Sequence, residues 1–168
     1  MAFSFLPTVM VDSITQLTPE YLTQRGIRLL MLDFDNTIVP YTTNIPQPEM
    51  EQWLRRMAAS QAPRICVVSN SKKDRVRHFC REYGLDCITH AKKPFHRGIR
   101  ECLEKYGLRP EDCALAGDQI YTDVLGARSA GMQAILVRAI HNHTFWLKLR
   151  HAAEMPFILA ARGRRAKF

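Results

Sequence analysis

The chain has 168 residues, of which 46% are hydrophobic and 24% charged, and a formal net charge of +8. This length suits one domain able to bury most of its apolar surface in a single core, and the composition is ordinary for a globular protein. No apolar run approaches the ~18 residues of a membrane-spanning helix, so none is expected.

The N-terminus, MAFSFLPTVMV, is apolar but short, has no Lys or Arg before Arg25, and stops at Asp12. That pattern does not fit a secretory signal. Residues 1–17 are expected either to pack on the domain or to touch a membrane surface. Thr18-Pro19-Glu20 reads as a helix start, with a hydroxyl cap and proline at the first helical position. Ile27–Leu32 is a nearly continuous apolar run ending at Asp33. A polar, proline-containing excursion covers 36–47. A helix follows from Pro48 to Ser60, with Met50, Trp53, Leu54 and Met57 on its apolar face.

Arg64–Val68 is a second strand, ending at Ser69. Asp74–Tyr83 is a helix closed by Gly84, and Asp86–Thr89 is a weaker strand. Pro94–Tyr106 is a helix before Gly107. Cys113–Ala116 is a strand ending at Gly117-Asp118, Thr122–Ala130 a helix before Gly131, and Gln133–Val137 the last strand. Unbroken apolar strands alternating with helices predict an α/β fold: a doubly wound parallel sheet of about five strands with helices on both faces. Residues 1–140 form the predicted domain. Residues 141–168 form a basic amphipathic extension, in which six Lys and Arg face only Glu154. Such a tail attracts nucleic acid, anionic lipid or solvent counterions.

Five cysteines cannot all pair and none forms a CxxC, so reduced thiols in a cytoplasmic setting are expected. The sequon Asn142-His143-Thr144 carries no meaning there. His141 and His143 are spaced as ligands could be, and are expected as surface residues.

Ligands of open α/β sheets bind beyond the carboxyl ends of the strands. Three predicted strands end there in polar residues: Asp33-Phe34-Asp35-Asn36-Thr37, Ser69-Asn70-Ser71, and Gly117-Asp118 with Asp123 five residues on. Lys92-Lys93-Pro94 precedes a helix at the same edge. Carboxylates crowded together repel unless a cation lies between them. Four of them suggest a hard divalent ion, with Mg²⁺ leading. An EF-hand loop starting at Asp33 fails, because its glycine and its final glutamate would fall on Ile38 and Asn44. Ser69 and Lys93 are phosphate-binding types, and a carboxylate held in line can attack phosphorus. The set reads as a phosphoryl-transfer site. Asn70 is a further candidate phosphate contact and Arg97 a candidate substrate contact.

In this order, the residues resemble the four motifs of the haloacid dehalogenase (HAD) superfamily: DFDNT at 33–37, Ser69, Lys93 before proline, and GDQIYTD at 117–123. The resemblance implies a HAD-like Rossmannoid fold and an aspartyl-phosphate mechanism. Asp33 would be nucleophile and metal ligand, and Asp35 would be the acid-base residue, binding metal through its main-chain carbonyl. Asp118 would be a metal ligand, with Asp123 beside it or in its water shell. Ser69 and Lys93 would hold the phosphoryl group. The gaps from Asp35 to Ser69 and from Ser69 to Lys93 hold no cap domain, which implies an open site.

FLPTVMVDSITQLTPEYLTQRGIRLLMLDFDNT, VVSNS, AKKP and GDQIYTDVLGARSAGM resemble the YqeG family of HAD subclass III over roughly residues 5–140. Its relatives in fungal mitochondria and plant plastids are phosphatidylglycerophosphate phosphatases. The resemblance implies an anionic phospholipid substrate, with a peripheral position at the inner face of a membrane. Phe3, Phe5, Leu6, Val9, Met10, Phe145, Trp146, Phe157, Ile158 and Leu159 are candidates for docking there, or for packing on the sheet. The alternatives are a phosphatase of soluble or macromolecular phosphoesters, and a non-catalytic module whose basic surface binds RNA or a ribosome, although nucleic acid is not the expected partner. No oligomeric state follows from the sequence.

Overall fold

The computed structural model describes residues 4–61, 63–71, 74–140 and 145–166, with the side chains of 145–152 outside that description. Six parallel strands form the sheet: β1 (Val9–Val11), β2 (Leu29–Leu32), β3 (Arg64–Val68), β4 (Asp86–Ile88), β5 (Cys113–Gly117) and β6 (Gln133–Val137), in the order β1-β6-β5-β2-β3-β4. The helices are α1 (Pro19–Gln24), α2 (Pro48–Ala59), α3 (Asp74–Glu82), α4 (Arg97–Tyr106), α5 (Leu125–Ser129) and α6 (Phe145–Ala160). β2 lies between β3 and β5, and all four of its residues are buried.

The strand sequences divide their residues between two cores. Leu30 and Leu32 point with Ile65, Val67, Ala114 and Ala116 toward Trp53 and Leu54 of α2 and Val76 and Phe79 of α3. Leu29 and Met31 point with Cys66, Val68 and Leu115 toward Ile99 and Cys102 of α4 and Ala127 of α5. Successive side chains of a strand face opposite ways, so a strand covered on both faces must be apolar throughout. Trp53 sits in the core stripe, and its indole Nε1–H donates to Leu17 O at 2.6 Å, tying α2 to the N-terminal segment.

The six strands exceed the expected five because β1 comes from the N-terminal segment. Val9 and Val11 are buried opposite Ile135 and Val137. Three residues are too few to show a period, so a strand here is invisible in sequence. The outer side of β1 is covered in turn by the C-terminus: Ala166 N–H donates to Met10 O at 3.0 Å, and Arg165 forms a bridge with Met10. The predicted helix over 122–130 divides into a π-helical turn, Ile120–Val124, followed by α5. The predicted helix from Pro94 starts only at Arg97, after a turn in which Phe95 N–H donates to Lys92 O at 2.8 Å.

Several residues considered for membrane docking are packed instead. Phe5 and Phe157 meet in a tilted ring contact at 4.9 Å, both against Tyr121, and Met10 and Ile158 pack on the α4–α5 side of the sheet. Leu159 remains exposed. Phe3 and the side chains of Phe145 and Trp146 lie outside the described residues, as do His141, the sequon and Lys167. No described helix is long and apolar enough to cross a membrane.

Candidate active site

β2 carries the chain to the carboxyl edge, where Asp33 N–H donates to Ala116 O at 2.8 Å and fixes the residue beside β5. The chain then turns sharply. Asn36 takes φ 59°, a left-handed conformation that asparagine tolerates. Its N–H donates to Val39 O at 2.7 Å, and its Oδ1 accepts from Tyr41 N–H at 3.3 Å. Ile38 and Val39 N–H both return to Phe34 O. These bonds make 33–41 a closed loop that presents Asp33 and Asp35 together.

β3 ends at Ser69, whose N–H donates to Ile88 O at 2.9 Å and whose buried hydroxyl accepts from Ser71 N–H at 3.1 Å. The Asn70 amide clasps the main chain of Lys93: Nδ2 donates to Lys93 O at 2.9 Å, and Oδ1 accepts from Lys93 N–H at 2.7 Å. Asn70 lines the cavity, with its amide committed to holding Lys93. Lys93 Nζ lies 2.6 Å from Asp33 Oδ1 and 2.7 Å from Asp123 Oδ1, with all three side chains buried. Asp123 also accepts from Gln119 N–H at 3.1 Å through Oδ2. Gly117 leaves the room for this: a Cβ there would lie 2.2 Å from Asp123 Oδ2.

Asp33, Asp35, Ser69, Asn70 and Lys93 line one cavity of about 300 Å³, joined by Tyr41, Gln119 and Thr122. Asp118 and Asp123 are buried and do not line it, and Asp118 lines a neighbouring cavity with Leu136, Arg138 and Ile158. One carboxylate oxygen from each of Asp33, Asp118 and Asp123 falls within 4.8 Å of the others. Lys92 is exposed, and Arg97 lies in a separate cleft with His96 and Arg100.

Burial pushes the Asp33 carboxyl up to about 6, with Asp123 adding to the rise and Lys93 opposing it. Burial also disfavours the Lys93 ammonium, but Asp123 and Asp33 more than offset that, so its pKa is raised. Both directions agree on one state at neutral pH, with Asp33 ionised and Lys93 protonated. Three buried carboxyl groups gather here, Asp33, Asp118 and Asp123, with Lys93 paired to the first and the last. An all-oxygen donor set of this kind suits a hard divalent ion. The residues present therefore fit a divalent metal.

Sequence reasoning missed Arg75, Tyr41, Gln119 and Thr122. Gln119 and Thr122 stand inside the quoted motif GDQIYTD, a signal that was available. Tyr41 and Arg75 belong to no motif. Arg75 forms an ion pair with Asp35 from the first turn of α3.

The mitochondrial PGP phosphatase family model matches residues 2–141. The probable phosphatase YqeG of Bacillus subtilis is 34% identical over 79% of this chain and 77% of its own length. The chloroplastic/mitochondrial phosphatidylglycerophosphate phosphatase 1 of Arabidopsis thaliana is 27% identical over 92% of this chain, which spans 44% of that longer protein. Among solved structures, the cobalt-bound deoxy-D-mannose-octulosonate 8-phosphate phosphatase YrbI of Haemophilus influenzae superposes with a TM-score of 0.53 at 14% identity, over 83% of this chain and 91% of that one, a likeness of fold. With a parallel sheet of HAD-like fold and no separate cap domain among the described residues, the chain belongs to the mitochondrial PGP phosphatase family and is a YqeG-like phosphoric monoester hydrolase.

Proposed function

We propose that this protein hydrolyses the terminal phosphomonoester of phosphatidylglycerophosphate, giving phosphatidylglycerol, with Mg²⁺ and an aspartyl-phosphate on Asp33. The observation that carries the mechanism is the buried Asp33–Lys93–Asp123 array beside Asp118 at the sheet edge. Asp33, the Asp35 main-chain carbonyl, Asp118 and, directly or through water, Asp123 would hold the Mg²⁺, which when bound supplies Lewis acidity at the phosphoryl oxygens. Lys93 and Ser69 hold those oxygens, and Asn70 fixes Lys93. Asp33 attacks phosphorus while the ester oxygen leaves with a proton from Asp35. Asp35 then takes a proton from water, which attacks phosphorus and frees both phosphate and Asp33.

Two observations support the lipid substrate. The family model and the Arabidopsis relative both carry that activity in their names. In addition, the described residues hold four strongly exposed large apolar side chains, and three of them, Tyr41, Ile45 and Phe95, belong to segments leaving the carboxyl edge of the sheet. An uncapped site rimmed in this way suits a phosphate presented at a membrane surface, on the cytoplasmic face.

The mechanism is tested by quenching turnover, reducing with borohydride and mapping peptides. An acyl phosphate at Asp33 is reduced to homoserine there, only when substrate and Mg²⁺ are present. Modification of a different carboxylate would remove Asp33 from the role.

A further inference from the structure

Among the described residues, Arg75 is the strongly engaged cation at the site that the phosphatase motifs leave unexplained. Its Nη2 pairs with Asp35 Oδ1, an oxygen shut off from solvent. Its Nη1 reaches the excursion after β2, donating to Thr43 O at 3.3 Å, Tyr41 O at 3.4 Å and Asn44 Oδ1 at 3.1 Å. The guanidinium lies over the Phe34 ring at 5.0 Å and near the Tyr41 ring at 5.7 Å. Both side chains are largely covered, Arg75 being 14% and Asp35 20% exposed. A planar fork stacked on an aromatic ring holds a carboxylate in a fixed orientation, as a lysine ammonium does not.

We propose that Arg75 is the positioning residue for proton transfer by Asp35. It grips Oδ1 and leaves Oδ2 to serve the cavity that Asp35 lines. By bonding 41–44 with the same guanidinium, it makes that placement depend on the excursion being seated. The inference rests on the acid role given to Asp35 above. When the bond from phosphorus to the ester oxygen breaks and the bond to Asp33 forms, that oxygen takes the proton from Asp35 Oδ2. Misplacement of Asp35 then harms esters whose leaving oxygen needs a proton and spares those whose oxygen does not.

The test compares kcat/KM for glycerol 3-phosphate, a poor alkoxide leaving group, with kcat/KM for 4-nitrophenyl phosphate, a good one. This constant reports the steps through phosphoryl transfer and excludes hydrolysis of the intermediate. In Arg75→Gln, the alkyl ester should slow by about 100-fold, the lower end of what a positioned acid contributes, and the aryl ester far less. Asp35→Asn should share that selectivity, and Arg75→Lys, which keeps the charge and serves if the Gln variant fails to fold, should lie between. Asn44→Ala, which removes one tether of the excursion, should shift the alkyl-to-aryl ratio in the same direction as Arg75→Gln but by less. Equal losses on both esters in the Arg75 variants would reduce Arg75 to a structural strut, and no loss on either would remove it from the site altogether. If wild type releases phosphate from neither ester nor from phosphatidylglycerophosphate in mixed micelles, the phosphatase reading falls and the Arg75 proposal with it. If Asp35→Asn is selective and Arg75→Gln is not, the Arg75 proposal alone fails.

Discussion

Asp33 and Lys93 are a buried, oppositely charged pair at the site. With a carboxyl pKa of about 6 in the fold against an ordinary 3.8, the folded state holds the Asp33 proton more tightly than the unfolded chain. The stability this provides is complete below the unfolded value and is lost as pH rises through about 6, with a size on the order of 3 kcal/mol. In EDTA, urea unfolding should therefore show wild type losing stability relative to Asp33→Asn between about pH 4 and about pH 7. Mg²⁺ should flatten that loss by binding the ionised carboxylate. Parallel pH curves for the two proteins would mean that Asp33 behaves as an ordinary carboxyl. The sequence made Asp33, Asp35, Ser69, Lys93 and Asp118 legible because each follows an apolar strand or sits in a spaced motif. Arg75 was not legible, since an arginine on an exposed-looking helix start carries no pattern, and only the folded excursion brings Tyr41 and Asn44 to it.

The π-helical turn Ile120–Val124 aims Asp123, and the C-terminal helix α6 holds that turn. Ile120 N–H donates to the buried Glu154 carboxylate at 3.0 Å, and the Tyr121 hydroxyl donates to Ala153 O at 3.0 Å. Residues past 140, expected as a basic extension, thus bond to the turn that carries Asp123. Glu154→Ala leaves a buried N–H without this acceptor and should cost about 1–3 kcal/mol. It should also raise the Mg²⁺ concentration for half-maximal hydrolysis of 4-nitrophenyl phosphate, because Asp123 loses its support. Unchanged metal dependence would confine Glu154 to stability. β2, β3, β5 and β6 were readable from their uninterrupted apolar runs, and β4 more weakly. The link through Glu154 was not, because a lone acid in a basic segment reads as a solvated charge until burial shows otherwise.

Across the whole molecule, the surplus of positive charge is partly used internally. Arg165 pairs with Asp12 at 2.8 Å, and Arg164 donates to Pro7 O at 2.7 Å, so the tail fastens the N-terminal edge of the sheet. Three of the four large apolar side chains left facing water among the described residues belong instead to segments leaving the edge that holds the site, and two of them, Ile45 and Phe95, are 77% and 74% exposed. Burying such a side chain in a lipid interface contributes on the order of 1.5–3 kcal/mol when complete. The most direct measurement is phosphate release from phosphatidylglycerophosphate in mixed micelles against release from 4-nitrophenyl phosphate, for wild type, Asp33→Asn and the double variant Ile45→Ser/Phe95→Ser. The lipid should be cleaved much faster than the soluble ester, only with Mg²⁺ and not by Asp33→Asn, and the double variant should lose about tenfold or more on the lipid while keeping its rate on the soluble ester. Full lipid hydrolysis by Asp33→Asn would contradict the mechanism, and Asp33-dependent cleavage of the soluble ester without cleavage of the lipid would contradict the substrate.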